Sequence, residues 1–452
     1  MRIALAQQNY HIGNFERNTE KIISAVERAK KEGAELVVFS ELCVCGYPPR
    51  DFLEFDDFIN RCYASIDAIK QHTEGIGVVI GAPHKNLDAP GKELFNAAWL
   101  LYNREVLGIS HKTLLPTYDV FDENRYFESA FEWNIISFKG HRIALTVCED
   151  IWNLGDNPLY RICPMDILAK QQPGLMINIS ASPFDYDHDE DRREVIKANV
   201  LKYGLPLVYC NAVGSQTEIV FDGGSLVYDA KGRLLKELPC FEEAFWVMDV
   251  DTGTHQPVQQ GRYTDSPPAI ISGETDKEMR VAKISDPERV MDFLTDTNNI
   301  RQIHQALILG IQDYFSKMGF SKALLGSSGG IDSAVALALA CEALGAENVR
   351  AVLMPSPFST GHSVKDAEQL SNNLGNPYDI IPIEAIYNSF LTSLGPLFKD
   401  LPFGVAEENI QSRTRGNLLM AIANKFGYIL LNTSNKSELA TGYGTLYGDM
   451  AG

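Results

Sequence analysis

The sequence predicts an α/β protein of two domains, the second built on a doubly wound parallel sheet. Three observations carry this. Residues 1–250 alternate short apolar runs with amphipathic stretches. A segment rich in Gly, Thr, Gln and Pro, DTGTHQPVQQGRYTDSPP (251–268), then breaks the pattern. From Pro287 onward apolar runs of strand length alternate with helices of about ten to fifteen residues, the signature of βαβ units. A chain of 452 residues has room for about two to three domains. The expected organisation is therefore a domain over 1–250, a linker over 251–286 and a domain over 287–452.

RIALAQQN reads as a strand, and FERNTEKIISAVERAKKEG as an amphipathic helix ending at Gly33. AELVVFSEL, GIGVVIGAP, HRIALTVCED, GLMINISAS and LPLVYCNAVG are apolar runs bounded by turn residues and read as further strands. In the second domain the expected order is helix 288–318, strand 322–326, a glycine-rich loop and helix 332–344. Strand VRAVLMPS, helix 362–374, strand YDIIPIE, further helices and strand YILLNTSN complete it. Ligands of such sheets bind beyond the carboxyl ends of the strands, so the loop, LMPSPFSTGHS and LNTSNKSE are expected to line one crevice.

A formal net charge of −19 argues against a general nucleic-acid or anionic-membrane surface. No apolar run reaches the roughly 18 residues that a transmembrane helix needs, and no signal peptide is read at the start. The eight cysteines are scattered without a CxxC pair, which fits reduced thiols in a cytoplasmic protein.

The loop lies in LLGSSGGIDSAV (324–335), between an apolar strand and an apolar helix. It lacks the lysine of the common GxxxxGK[ST] phosphate loop and carries Asp332 where positive charge would be expected. Backbone N–H groups of Ser327 to Ile331 and the following helix N-terminus suit an anion, and Ser328 and Ser333 can add hydroxyls. Asp332 is suited to a Mg²⁺ that bridges phosphates. Together they fit attack at an α-phosphorus with pyrophosphate leaving.

SGGIDS (328–333) resembles the signature of the N-type ATP pyrophosphatases, and EENIQSRTRGNLLMAIANKFG (407–427) and NTSNKSELATGYGTLYGDMAG (432–452) are similar to segments of NAD synthetases. The resemblance implies ATP as co-substrate, held by Gly326, Ser327, Ser328, Gly329, Gly330, Ile331, Asp332, Ser333 and Thr433. It implies deamido-NAD contacts from Asn409, Arg413 and Glu438, with Mg²⁺ on Asp332 and Glu438. In the family the pattern continues for roughly another hundred residues past GDMAG, which fits an unfinished sheet domain.

The first domain carries TVCEDIW, with Cys148 at the end of a buried strand. A nucleophilic thiol needs a base and oxyanion stabilisation, and no partner histidine is evident, since His141 belongs at the far end of the same strand. Glu41 in FSELCVCGYPPRD and Lys112 in HKTLLPTYDVFDENRYF also follow apolar strands. A glutamate can take the thiol proton while a lysine stabilises the oxyanion.

These motifs resemble the carbon–nitrogen hydrolase (nitrilase) superfamily, and within it the glutaminase domain of glutamine-dependent NAD synthetases. The resemblance implies an αββα sandwich with Glu41 as base, Lys112 as oxyanion partner, Cys148 as nucleophile and Glu123 as a supporting carboxylate. It also implies glutamine contacts from Tyr118, Ser182 and His188. After NISASPF this chain has DYDHDEDRR where the family places a basic residue, which leaves His188, Arg192 and Arg193 as candidates for the glutamine carboxylate. The expected reaction is amidation of deamido-NAD with ammonia from glutamine. The partners are glutamine, deamido-NAD and ATP, with no nucleic acid or membrane, in a homo-oligomer whose synthetase site lies at a subunit interface. The alternative is a stand-alone amidohydrolase with a regulatory nucleotide-binding domain, which would release glutamate without AMP or pyrophosphate.

Overall fold

Alternation decides the first unit. Ile3 and Leu5 point to one side of their strand and Ala4 and Ala6 to the other, yet all four are fully buried. A strand buried on both faces needs a layer on each side. The structure, a computed structural model, describes residues 1–87, 90–154, 159–185, 188–252, 291, 295–399 and 401–451. The side chains of 188–191, and the expected linker from residue 253 on, lie outside that set. The chain divides into two compact units, Met1–Ala306 and Leu307–Gly452.

In chain order the first unit runs β1 (Arg2–Gln7), α1 (Phe15–Lys31), β2 (Leu36–Val38), α2 (Asp56–Lys70), β3 (Gly77–Lys85), β4 (Leu94–Tyr102) and β5 (Glu105–His111). Next come α3 (Glu123–Tyr126), β6 (Ile136–Phe138), β7 (His141–Val147), α4 (Pro164–Ala169), β8 (Leu175–Ser180), α5 (His188–Tyr203) and β9 (Leu207–Asn211). A ribbon of β10 (Val213–Gln216) and β11 (Ile219–Asp222) precedes β12 (Leu226–Tyr228), β13 (Leu234–Glu237) and β14 (Ala244–Asp249).

Two six-stranded sheets result, ordered β14-β1-β2-β3-β4-β5 and β13-β12-β9-β8-β7-β6. Between them lie Ile3, Leu5, Val38 and Val79 against Leu145, Val147, Ile177 and Val208. On the outer face of the first sheet Ala4, Val37 and Val78 pack with Ile22 and Val26 of α1 and Ile59 and Ile66 of α2. On the outer face of the second, Ala144, Met176 and Leu207 pack with Met165 of α4 and Ile196 of α5. The layers are αββα, as the resemblance implied. α1 ends where expected: Gly33, at φ +75°, adopts the left-handed conformation that glycine takes without strain. The expected strand AELVVFSEL is shorter than read. Only Leu36–Val38 pair, because the chain turns at Glu41.

The second unit contains α6 (Thr297–Met318, which runs through the division), β15 (Ala323–Gly326), α7 (Ile331–Leu344), β16 (Val349–Leu353) and α8 (Gly361–Leu374). β17 (Tyr378–Ile380), α9 (Glu384–Phe398), α10 (Val405–Phe426), β18 (Ile429–Leu430) and α11 (Lys436–Thr441) follow. The sheet order is β17-β16-β15-β18, all parallel. Ala323, Leu325, Val349 and Ala351 face Phe315, Leu337 and Ala367 on one side. Leu324, Val352 and Leu430 face Leu419 and Ala423 of α10 on the other. Helices thus cover both faces, the doubly wound arrangement expected. β17 and β18 are shorter than the apolar runs YDIIPIE and YILLNTSN, whose later residues leave the sheet for the loops at its carboxyl edge.

β3 and the turn carrying Glu41 approach so closely that no side chain fits between them. A Cβ on Gly81 would lie 2.2 Å from the Leu42 nitrogen and 2.7 Å from the Glu41 carbonyl carbon. Both neighbours are backbone and cannot rotate away. Gly81→Ala is expected to cost about 1–3 kcal/mol of stability by overpacking, read as a lowered midpoint in urea. An unchanged midpoint would mean that the turn moves at no cost.

Candidate functional site

Four strand ends of the first unit converge. Glu41 lies in the turn after β2, Lys112 directly follows β5, Cys148 opens the 3₁₀ turn after β7, and Ser182 follows β8. The Lys112 ammonium is wholly buried, 2.9 Å from Glu41 Oε1 and 2.7 Å from Glu123 Oε1. Glu123, at the start of α3, also accepts from Tyr47 Oη at 2.7 Å. Asn96 Nδ2 donates to Glu41 Oε1 at 2.6 Å and to Glu123 Oε2 at 3.3 Å, while the Ala181 N–H donates to Glu41 Oε2 at 2.9 Å. The structure therefore brings Glu41, Lys112 and Glu123 into one hydrogen-bonded group, with Cys148 beside it.

Electrostatics follows from burial. Burial alone would push the Lys112 ammonium down, but Glu123 and Glu41 outweigh it and hold the group charged. Burial, and then the negative charge of Glu41, lifts the Cys148 thiol well above its ordinary range, with Lys112 pulling the other way. Glu123 is raised by burial, against the pull of Lys112. Cys148 is thus held as a thiol, with the Glu41 side chain among the groups that act on it. Cys148 has φ 42°, a left-handed conformation that costs a non-glycine residue about 1–3 kcal/mol and is held only by its surroundings. His141 does lie at the opposite end of β7, where Thr252 Oγ1 meets its Nδ1 at 2.6 Å.

Asp150 supplies part of that hold. Its Oδ1 accepts from the N–H groups of Thr113 (2.9 Å) and Leu114 (3.0 Å), and its Oδ2 accepts from Val147 N–H (3.1 Å). One buried carboxylate ties the segment after Lys112 to the strand end before Cys148. Burial lifts this acid to about 7.

Tyr118 Oη donates to both oxygens of Glu149, at 3.0 and 2.9 Å, and Tyr160 Oη donates to Glu149 Oε1 at 3.2 Å. Ser182 is held at both backbone ends by Asn211, whose Oδ1 accepts the Ser182 N–H (2.9 Å) and whose Nδ2 donates to the Ser182 carbonyl (3.3 Å). Of the three candidates for a glutamine carboxylate, Arg192 is buried and gives Nη2 to both Asp222 oxygens and Nη1 to the Gly223 carbonyl. Arg193 donates to Glu237 at 3.0 and 2.6 Å. Both guanidinium groups are engaged within the protein, and the His188 side chain lies outside the described residues.

In the second unit a cavity of about 360 Å³ opens over the carboxyl ends of β15, β16 and β18. Gly326, Ser327, Ser328, Met354, Thr433 and Arg415 are among its lining residues. The loop is narrower as an anion cradle than its sequence implied. The Ser327 N–H is taken by the Val352 carbonyl, Ser328 N–H reaches Ser333 Oγ at 3.3 Å, and Gly330 N–H reaches Ser328 Oγ at 3.2 Å. Gly329, at φ +85°, would place a Cβ 2.2 Å from the Ser363 carbonyl oxygen, so only glycine fits.

Gly330 is the N-cap of α7, with no side-chain cap, so Asp332 does not cap its helix. Its Oδ1 accepts from Asn435 Nδ2 at 3.2 Å. Asn435 in turn caps α11 and exchanges hydrogen bonds with Glu438. The two carboxylates expected to hold Mg²⁺ are thereby linked through one residue, Asn435, whose side-chain amide meets Asp332 and whose backbone N–H meets Glu438. No group of three or more His, Cys, Asp or Glu that could hold a metal occurs among the described residues. Two linked carboxylates still fit Mg²⁺, which typically takes one or two carboxylates and fills its octahedron with water and substrate phosphate.

Asn409 accepts from Thr445 Oγ1 (2.8 Å), and Arg413 donates to the Leu446 carbonyl (3.2 Å), so both are turned to the segment after α11. Arg415, not Arg413, lines the cavity, anchored on the Met354 carbonyl at 3.1 Å. Sequence reasoning also missed Asn96, Tyr47, Asn211 and Asn435. Asn96 carried one signal: a polar residue inside LFNAAWLLY, in a strand buried nearly throughout.

Residues 2–260 match the carbon–nitrogen hydrolase family and residues 303–452 match NAD synthase, so one domain of each class is joined in this chain. Over its whole length the chain is 42% identical to the glutamine-dependent NAD(+) synthetase of Synechocystis sp., covering 76% of that protein. It is 37% identical to that of Thermotoga maritima, covering 77%. The glutamine-dependent NAD+ synthetase of Acinetobacter baumannii, solved with adenosine diphosphate, superimposes on the whole chain with a TM-score of 0.84 at 34% identity, over 78% of its own length. The chain belongs to the family of glutamine-dependent NAD(+) synthetases.

Asp150→Asn tests the clamp. Asparagine offers one acceptor oxygen where the aspartate uses two, so at least one backbone N–H meets an NH₂ group. The loss expected is about 1–3 kcal/mol. Because Asp150 is raised to about 7, the folded protein holds this proton more tightly than the unfolded chain does. Its contribution to stability therefore falls as pH rises from the ordinary carboxylate range to about 7. The gap between wild type and Asp150→Asn should narrow over that window in urea unfolding at pH 5 and pH 8, and a gap that widens would refute the assignment.

Proposed function

We propose that the chain forms NAD from deamido-NAD, with ATP to activate the acid and ammonia taken from glutamine. The observation that carries this reading is the buried Lys112 ammonium between Glu41 and Glu123, beside Cys148 on its left-handed turn. Glu41 takes the Cys148 proton, and the thiolate attacks the glutamine amide carbon. Lys112 stabilises the oxyanion, and the returned proton leaves with ammonia, giving a thioester that water hydrolyses to glutamate. Tyr118, Ser182 and His188 are assigned to glutamine, and Glu149, buried and braced by two tyrosine hydroxyls, suits its α-ammonium.

In the second unit the deamido-NAD carboxylate attacks the α-phosphorus of ATP, pyrophosphate leaves, and ammonia displaces AMP. The loop from Gly326 to Ser333 and Thr433 are assigned to ATP, and Asn409, Arg413 and Glu438 to deamido-NAD. Arg415, lining the cavity, is added as a cation for phosphate. Asp332 and Glu438 are the residues that would hold Mg²⁺, which supplies charge neutralisation on the leaving pyrophosphate.

The reading extends to a homo-oligomer with this site at a subunit interface, supported by the exposure of Leu397, Leu401, Phe403 and Val405. A cytoplasmic setting is supported by eight free cysteines. No helix among the described residues is long and apolar enough to cross a membrane.

Cys148→Ala is expected to abolish glutamine-dependent NAD formation while leaving ammonium-dependent formation within about two-fold, measured by NAD production with each nitrogen donor. Equal loss of both in a folded protein would sink the division of labour. Asp332→Asn keeps shape and removes charge. Deamido-NAD-dependent exchange of labelled pyrophosphate into ATP should fall by roughly two to four powers of ten, with glutamate release at Cys148 unaffected. Near-normal exchange would move the metal to Glu438 alone.

A further inference from the structure

Asn96 is the third residue of β4, outside the motifs quoted above, with its side chain fully buried. Its amide nitrogen is shared between Glu41 Oε1 and Glu123 Oε2. Lys112 Nζ is shared between the same two carboxylates. The four side chains form a closed ring: carboxylate, ammonium, carboxylate, amide. The carboxylates fix the amide orientation, since turning it over would set its oxygen against both of them. That orientation has a cost, because Asn96 Oδ1 is left buried without a hydrogen-bond partner. A leucine shares the branched skeleton and would leave no stranded acceptor. What the position retains is the donor.

We propose that Asn96 is a positioning residue for glutamine hydrolysis, its amide nitrogen holding Glu41 and Glu123 around the one lysine so that Glu41 faces the Cys148 thiol. This rests on the reading of Cys148, Glu41 and Lys112 given above. Two carboxylates on a single cation leave the group one positive charge short. A neutral donor common to both offsets part of their repulsion without adding a second cation that would compete with Lys112 for the oxyanion. The titratable groups around the ring are Glu41, Tyr47, Lys112, Glu123, Cys148, Glu149 and Asp150. Among them only Lys112 is a cation, so loss of the amide donor favours protonation of the ring carboxyls. The acid limb of the rate profile should then move to higher pH.

The test uses Asn96→Leu and Asn96→Asp in the whole chain, following glutamate release from glutamine between pH 5 and pH 9. Asn96→Leu removes both donor hydrogens. Asn96→Asp keeps the shape but offers at most one O–H, and only when protonated, to carboxylates that the amide serves with two N–H groups. A packing role predicts near-normal activity for it, whereas the donor role predicts a loss. The expected result is a fall in kcat of roughly 10- to 100-fold in both, with KM for glutamine within about three-fold and the acid limb raised. Either variant with wild-type kcat and an unmoved limb overturns the proposal, and one folded variant suffices. Cys148→Ala in the same assay separates the two claims: glutamate release that survives it refutes the underlying reading, whatever Asn96 does.

Discussion

The burial of one ammonium between two carboxylates sets the terms for the first unit. Taking a charge out of water costs several kcal/mol, and the cost is recovered only if its partners are close and their remaining lone pairs are satisfied. Glu41, Lys112 and Glu123 meet that condition through Asn96, Tyr47 and the Ala181 backbone. These residues come from β4 and from the segments after β2, β5 and β8. An αββα sandwich brings such segments together because its strand ends share an edge and its helices lie outside. The cluster could not exist in a looser fold, where water would reach it and dissolve its preference for one geometry.

The same edge holds Cys148. Cys148 and Leu42, beside Glu41, both have positive φ, and neither conformation is one its residue adopts unaided. Side chains buried for their hydrogen bonds rather than their apolarity supply the hold. Asp150 clasps three backbone N–H groups, and Asn211 grips both ends of Ser182. Donors and acceptors fixed before substrate arrives need not reorganise during reaction, which is where such sites gain most of their rate.

The second unit works differently. Its cavity is open, its carboxylates Asp332 and Glu438 are partly exposed and linked only through Asn435, and several loop amides are already bonded within the protein. Little charge is buried in advance. On the reading proposed above, ATP and Mg²⁺ would bring most of the charge with them.

By itself the sequence determined the fold classes of both units and the strand-end positions of the candidate site residues. The short apolar run in RIALAQ, buried on both faces, and the helix–strand alternation after residue 287 are local features, so β1, the doubly wound sheet and α7 appear almost where they were read. Motifs at strand ends, FSEL, HKT, TVCED and SGGID, located Glu41, Lys112, Cys148 and Asp332 because a strand end is also a local feature. Tertiary structure alone decided which residues answer them. Asn96 and Tyr47 reach Glu41 and Glu123 across tens of residues, Arg192 and Arg193 are spent on Asp222 and Glu237, and Arg415 rather than Arg413 faces the cavity. Periodicity states which face of an element is buried. It does not state what lies across the gap, and buried polar groups take their meaning from that partner.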